Sequence, residues 1–485
     1  MFIVVTIIIP IILGLIIPLF RFNDKSRSVY VILSSIFTSI SILLLILFYG
    51  QESITFIKLT DVLSIGFKLD DLSKHFLLIL LSLWPLATIY ASEYMEMEDN
   101  RDTFFKYYLI AYGIAIGVAV SRNLITMYLF YELLTFLTLP LIMHKMDQKS
   151  LFAGKVYLVL SILGASLALM GIVIYVMQTH AIEFTSTGLI DRLNNVNNRL
   201  IYISYILCFI GFGVKAAIIP FTVWLPLCSV APTPVSALLH AVAVVKAGVF
   251  AVIRVTYYSF GINILYGSKV SYIASCIAIA TILYGSIMAV RDKHIKRRLA
   301  YSTASNLSYI LFVVTLLTRE GLAAGLTHMM FHAIIKINLF FAAGSMMIYG
   351  KSEYVSDVKG LSSKMPITSF SFLIASLALI GIPMTCGFVS KYEIITAAIS
   401  SKSVISYIGI IAIVISSILT LIYLFSIVIN IYVPDSKFDS SSIENVNESR
   451  TRIKIVLIII TFLIIYFGIN SSGVLDFINC ITKSL

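Results

Sequence analysis

Charge is what this chain has least of. Of its 485 residues only 12% are Asp, Glu, Lys or Arg, whereas 59% are hydrophobic, and the mean hydropathy is +0.99. A soluble chain of this length normally forms two or three domains, but such a composition belongs to membrane proteins. Cysteine is also scarce: Cys208, Cys228, Cys276, Cys386 and Cys480 are scattered and form no CxxC pair. That argues against a disulfide framework, a zinc site or an iron–sulfur cluster. Seven histidines argue against a multi-haem protein. There is no GxGxxG cradle, nucleophile elbow or Walker motif, so no cofactor and no redox or hydrolytic centre is expected.

The net charge of +11 would suggest nucleic acid in a soluble protein; here basic loops facing an anionic lipid surface account for it better. The N-terminal run MFIVVTIIIPIILGLIIPLF has no basic n-region and no small-residue cleavage site, and reads as a retained first span.

Long apolar runs are what is there. A membrane helix needs about 20 apolar residues. On that rule spans are expected near 2–20, 29–49, 75–93, 104–121, 123–143, 152–178, 201–225, 235–258, 270–290, 298–317, 321–349, 366–400, 404–432 and 454–475. The expected fold is an all-α polytopic membrane protein of about fourteen transmembrane helices, with no soluble domain. The polar connections, about 50–74, 179–200, 350–365 and 433–453, are each too short to fold alone, and 435–452 reads as a flexible loop.

With the N-terminus outside, the inner loops carry about twice as many Lys and Arg as the outer ones, as the positive-inside rule requires. The loop RDKHIKRR, Arg291 to Arg298, falls inside and reads first as a topology signal. Once residues in the first few positions of a span are set with the loops, five basic residues remain within spans: Lys215, Lys246, Arg254, Lys336 and Lys391. A charge in hydrocarbon costs several kcal/mol, so each needs a partner or a use. Arg254, near a helix end, is expected to snorkel to the interface.

Two spans are interrupted. Pro220 breaks 201–225, and Gly381, Pro383 and Gly387 break 366–400. Proline frees backbone polar groups, which are tolerated at membrane depth only inside protein or beside a hydrated cavity. Two broken helices five spans apart, each with a lysine, fit a repeated five-helix unit, and an odd repeat length makes the copies inverted. The first repeat is placed at 103–258 and the second at 270–432, with 1–93 and 454–475 flanking them.

Glu132, in MYLFYELLTFLTLPLIM, is an acid in the middle of a span. It reads either as a packing residue bonded to a neighbouring helix or as an acid coupled to a lysine, Lys215 being the natural candidate. Lys215 and Lys246 read as proton sites with a movable counter-ion, or as a static buried pair. His240 lies six residues before Lys246, which puts the two on different sides of a regular helix; packing and proton relay both fit it. His328, His332 and Lys336 fall at i, i+4 and i+8 and form one stripe. Stacked imidazoles leading to a lysine suit a proton wire; a metal pair is the weaker reading, with no third ligand in view. Lys391 follows the second break, as a path terminus or as an interfacial lysine. Asp70 and Asp71 open a helix and complement its dipole.

The runs FYELLT, GFGVKAAIIPFTVWLP, APTPVSALLHAVAVVKAG, RRLAYSTASNLSY, HAIIKINLFFAAG and GIPMTCGFVSKYE stand in order between about residues 60 and 400. Together they resemble the antiporter-like family that includes the D-type member of Mrp-type multisubunit cation/proton antiporters and the proton-pumping membrane subunits of respiratory complex I. Within that family the run SALLHAVAVVKAGVF is most similar to the D-type branch. The resemblance implies fourteen helices in two inverted five-helix repeats. It implies a central pair of Glu132 and Lys215, and a mid-membrane polar axis through Lys246 and His332 to Lys336 and Lys391. Where some relatives carry a glutamate at the last axis position, this chain has lysine. The expected function is a proton-translocating membrane subunit of a monovalent cation (Na⁺ or K⁺)/H⁺ antiporter, a secondary transporter component, in a bacterial cell membrane. The alternative is the corresponding subunit of a complex I-type NADH–quinone oxidoreductase. Its expected partners are other membrane subunits of a hetero-oligomer, the lipid bilayer, protons and monovalent cations, and not nucleic acid.

Overall fold

Several helices begin where a side chain satisfies a free amide of the first turn. Asn23, Asp70, Asn123, Asp147 and Thr318 accept from Ser26, Ser73, Thr126, Ser150 and Gly321 respectively, at 2.7–2.9 Å. The computed structural model describes residues 1–485 except 21, 51–52, 59, 61–62, 187, 189–196, 434–442, 444–445 and 484–485. Most of the loop expected to be flexible, 435–452, and part of 179–200 lie outside the described residues.

In order the helices are α1 (Phe2–Ile16), α2 (Asp24–Phe48), α3 (Asp71–Tyr94), α4 (Arg101–Ala119), α5 (Leu124–Ile142), α6 (Gln148–Thr179) and α7 (Asn198–Gly213). They continue as α8 (Phe221–Val230), α9 (Thr233–Phe260), α10 (Lys269–Arg291), α11 (Ile295–Thr315) and α12 (Arg319–Tyr349). The last are α13 (Pro366–Ile380), α14 (Cys386–Ser400), α15 (Val404–Tyr432), α16 (Thr451–Ile469) and α17 (Ser472–Lys483). Ten of the described helices are long and apolar enough to cross a membrane by themselves. Every expected span falls on a helix or on a broken pair, and the chain is an integral, multi-pass, all-helical membrane protein but for one hairpin.

That hairpin was not expected. Strands β1 (Ser53–Lys58) and β2 (Ser64–Lys68) pair antiparallel within the connection read as a polar loop. It seats on the α4–α5 turn, where Lys68 donates to the Val120 carbonyl at 2.8 Å and Arg122 to that of Gly66 at 3.0 Å. The hairpin marks one side of the bundle, on which α3, α5, α10 and α12 begin and α9 ends. The expected span 454–475 also stops early, at Ile469, and α17 follows as a separate helix with one buried face at Ile478, Ile481 and Thr482.

Depth in the bundle decides where the site sits. The apolar windows of α9 and α12 are 100% and 89% buried, against 39% for α6 and α15 on the outside. A helix apolar all round is a central helix. The two central helices are the ones that carry Lys246, His328, His332 and Lys336.

Candidate functional site

The first break opens after Gly213, where α7 stops and residues 214–220 run as turns up to α8. The freed backbone groups find partners, as burial in a membrane demands. Ile219 N–H donates to Thr281 Oγ1 at 3.0 Å, Trp224 Nε1 to the Val214 carbonyl at 2.9 Å, and the Tyr131 hydroxyl to the Phe212 carbonyl at 3.1 Å. Lys215 lies inside this break and is fully buried. Its ammonium donates to the Tyr131 carbonyl, sits 3.3 Å from the centre of the Tyr131 ring and 3.6 Å from Glu132 Oε1. The expected pairing of Glu132 with Lys215 is therefore present. α9 presses on the same turn through Gly248, where an added Cβ would meet Ala216 N at 2.7 Å.

On α9, Lys246 Nζ lies 2.8 Å from His332 Nδ1 of α12. The stripe of α12 forms as the spacing demands: the His328 and His332 rings are 5.6 Å apart, and Lys336 donates to the Leu299 carbonyl at 2.9 Å and to Ser302 Oγ. His328 Nδ1 reaches Ser390 Oγ at 2.9 Å, beside Lys391 in sequence. His240 stacks on Phe340 at 4.7 Å, with neither ring nitrogen hydrogen-bonded. His240 and Lys246 both meet α12, although a regular helix would turn them to different sides. The chain winds as a π-helix over Leu238–Val242 and kinks at Ala243, so its angle per residue changes between them.

Lys391 lies in α14 just past the second break, Gly381–Thr385. It is 7% exposed, which sets aside the interfacial reading. Its ammonium donates to the Ile380 carbonyl at 2.9 Å and to Ser417 Oγ at 3.0 Å, and lies 5.6 Å from the centre of the Tyr309 ring. Ile380 ends α13, so the lysine meets the electronegative end of a helix.

Arg254 corrects an expectation: it does not snorkel. It is fully buried and grips Asp70 with two bonds of 2.6 Å, with a third of 2.8 Å to Ser73 Oγ. The rings of Phe184, Phe250 and Tyr258 surround it at 4.9–5.2 Å. A bidentate carboxylate offers more than water at the interface would, and the sequence hides the pairing because the partners are 184 residues apart. Asp70 thus does more than serve the helix dipole, while Asp71 pairs with Lys74 at 2.9 Å. Burial pushes the Asp70 carboxyl up, but the Arg254 guanidinium and the Ser73 hydrogen bonds outweigh it and hold it below the usual carboxylate value.

Lys296 is hidden in sequence because it lies within the basic loop RDKHIKRR. It is 4% exposed and donates to the Ala231 carbonyl at 2.8 Å, a buried lysine at the end of α11. The groups singled out in sequence thus form a broken line across the bundle. Glu132 meets Lys215; Lys246 meets His332, then His328 and Ser390 lead to Lys391; Lys336 flanks the stripe with its own partners. Lys215 and Lys246 are joined through the packing of Gly248 on the Lys215 turn, while each ammonium keeps its own partners. Such a line sets titratable nitrogens beside hydroxyls and freed carbonyls, groups that can hold a proton or hydrogen-bond to one.

Residues 121–466 match the family described as NADH:quinone oxidoreductase/Mrp antiporter, transmembrane. The chain is 30% identical over 415 residues to the putative antiporter subunit mnhA2 of Staphylococcus aureus strain MSSA476, and 31% identical to that of strain JH9. In both cases the match covers 81% of this chain and 51% of the relative, so the chain spans about half the length of these relatives. By its motifs the chain is expected to be most similar to the D-type branch, whereas these relatives are named antiporter subunit mnhA2. In fold the chain is similar to one of the membrane-bound sulfane sulfur reductase, an archaeal respiratory membrane complex. That likeness has a TM-score of 0.88 at 21% identity and covers 99% of this chain and 96% of the other. It is similar too to a chain of the Mrp complex from Dietzia sp. DQ12-45-1b, with a TM-score of 0.89 at 19% identity, covering 100% of this chain and 52% of the other.

Proposed function

Because the chain belongs to the NADH:quinone oxidoreductase/Mrp antiporter transmembrane family, we propose that it is a proton-translocating membrane subunit of a monovalent cation/proton antiporter complex. The observation that carries this reading is the pairing of the fully buried Lys215 with the partly buried Glu132 in a helix break, at the head of a line of buried groups that ends at Lys391 beside a second break. Lys215 holds or releases a proton according to its distance from Glu132. The change of field then passes through Lys246, His332 and Lys336, with His240 and His328 as flanking relays, to Lys391. Residues 103–258 and 270–432 are read as the two inverted copies of one unit. The N-terminus is placed outside, which puts the hairpin on the outer face of a bacterial cell membrane. The chain works with other membrane subunits, and Na⁺ or K⁺ is the exchanged ion. The energy scale fits: moving one charge through 100 mV is worth about 2.3 kcal/mol.

The second reading, a proton-pumping subunit of a quinone-reducing complex, shares the family and the same line of groups. The antiporter reading is preferred because the curated relatives are named as antiporter subunits. The test is exchange by vesicles containing the assembled complex, with Na⁺ and K⁺ supplied in turn. Lys215→Ala is expected to abolish exchange while leaving assembly intact; exchange at the parent rate would end the proposal. A proton flux that needs quinone reduction and no cation would select the second reading.

A further inference from the structure

His75 stands outside the line of groups just described. It lies on α3, about 7 Å deeper than Asp70 at the usual helical rise. It is fully buried, and neither ring nitrogen has a hydrogen-bond partner in the protein. Two contacts fix α3 against α9 around it. Arg254 holds Asp70 at the hairpin side, and Phe76, next to His75, meets Phe250 with ring centres 5.0 Å apart. Phe250 is one turn from Lys246 and one turn from Arg254. The two helices run antiparallel, so Lys246, one turn beyond Phe250, lies about one helical turn deeper than His75. The ring lies within the field of the Lys246 ammonium and on the side of the Leu326 backbone of α12.

A phenylalanine would fill this place without leaving two polar nitrogens unsatisfied. What a histidine adds is a lone pair on one nitrogen and a proton on the other, so it can take a proton on one side and give one up on the other. At the far end of the same register the Asp70 side chain is 21% exposed, so the Asp70–Arg254 pair reaches the surface.

We propose that His75 is a side branch of the proton line, exchanging a proton with Lys246 and passing it toward the Asp70–Arg254 pair on the hairpin side. The branch rests on the transport reading above. Neither ring nitrogen is in hydrogen-bond range of Lys246, so a water molecule relays the proton: an N–H bond of the Lys246 ammonium breaks, the water takes that proton and gives one of its own, and an N–H bond forms at the free ring nitrogen, leaving an amine and an imidazolium. The other ring nitrogen then gives its proton to water entering from the Asp70 side, which restores the neutral ring, and no electrons change centres. The Phe76 and Phe250 rings lie at the level between the two ends, so the branch is closed by an apolar contact that has to part for water to enter.

The experiment uses the complete complex in vesicles with two variants. His75→Phe keeps the shape; His75→Gln keeps hydrogen bonding but carries no proton. Both are expected to slow exchange about tenfold or more and to change the shape of its pH profile. The parent's rate and profile in either variant would overturn the branch. So would a slow Phe variant beside a normal Gln variant, which would make His75 a polar spacer. Failure of both to assemble would make it a folding residue and end the proposal as well. Lys215→Ala in the same preparation separates the two claims. Exchange lost there but normal in the His75 variants sinks the branch alone; exchange retained there sinks the transport reading.

Discussion

The two helix breaks share an outline and differ in what faces their lysines. Lys215 sits within its break, with a carboxylate at 3.6 Å and an aromatic face against it. Lys391 sits just past its break and meets only neutral oxygens, the Ile380 carbonyl at 2.9 Å and Ser417 Oγ at 3.0 Å; among the described residues it has no ion pair. A proton shifting within a lysine–carboxylate pair leaves the pair's total charge unchanged. A proton arriving at a lysine held by dipoles changes the charge of the whole site. Under the proposed transport function, the first break can shift a proton internally without changing its charge, whereas the second changes charge with every proton, a difference that the sequence pattern does not reveal.

Replacing Glu132 by Gln removes this difference, since Lys215 is then left with dipoles, as Lys391 is. Breaking a fully buried pair costs about 3–5 kcal/mol, and Glu132 is partly exposed, so the variant is expected to unfold at a somewhat lower temperature; on the proposed transport reading it loses about a hundredfold in exchange. Thermal unfolding of the purified complex and vesicle exchange measure the two effects. Near-parent exchange would make the two breaks equivalent and cancel the distinction.

A smaller effect probes how tightly each break is held. A Cβ on Gly248 would meet Ala216 N at 2.7 Å and the Lys215 carbonyl carbon at 2.9 Å. A Cβ on Gly387 would run into the Ala378 carbonyl, its carbon at 2.7 Å and its oxygen nearer still. In both cases the obstacle is backbone, which cannot rotate away. Alanine at either position is expected to cost about 1–3 kcal/mol, with Gly387→Ala the worse of the two. Equal tolerance at both, read from thermal unfolding, would mean that neither break is set by these contacts.

The sequence announced some of this and hid the rest, for physical reasons. Apolar runs of span length and the periodicity of His328, His332 and Lys336 are local properties, so the helices and the α12 stripe were legible. An acid in mid-span among buried lysines left Lys215 as the natural partner of Glu132. Asp70 and Arg254 were not legible as a pair, because each has an ordinary local explanation, a helix cap and an interfacial arginine, and only the packing of α3 on α9 joins them. His75 and Lys296 were masked in the same way, by a helix start and by a basic loop. The hairpin was hidden in a connection too short and polar to suggest strands, and it forms against the α4–α5 turn. The winding of α9 was out of reach because a π-turn has no pattern of its own in the residues Leu238–Val242.

The smallest effect is expected where the charge is shared among dipoles. Ser417→Ala removes one of the two oxygens that accept from Lys391 and leaves the Ile380 carbonyl at 2.9 Å. The Tyr309 hydroxyl, 2.7 Å from Ser416 Oγ, stays in place on α15. The loss should therefore be that of a single hydrogen bond, about 0.5–1.5 kcal/mol, and at most about tenfold in exchange. At the first break no such substitution is available, because no neutral group restores the charge of Glu132. Ser417→Ala as damaging as Glu132→Gln would show that Lys391 depends on one partner as Lys215 does, and the contrast between the two breaks would fall.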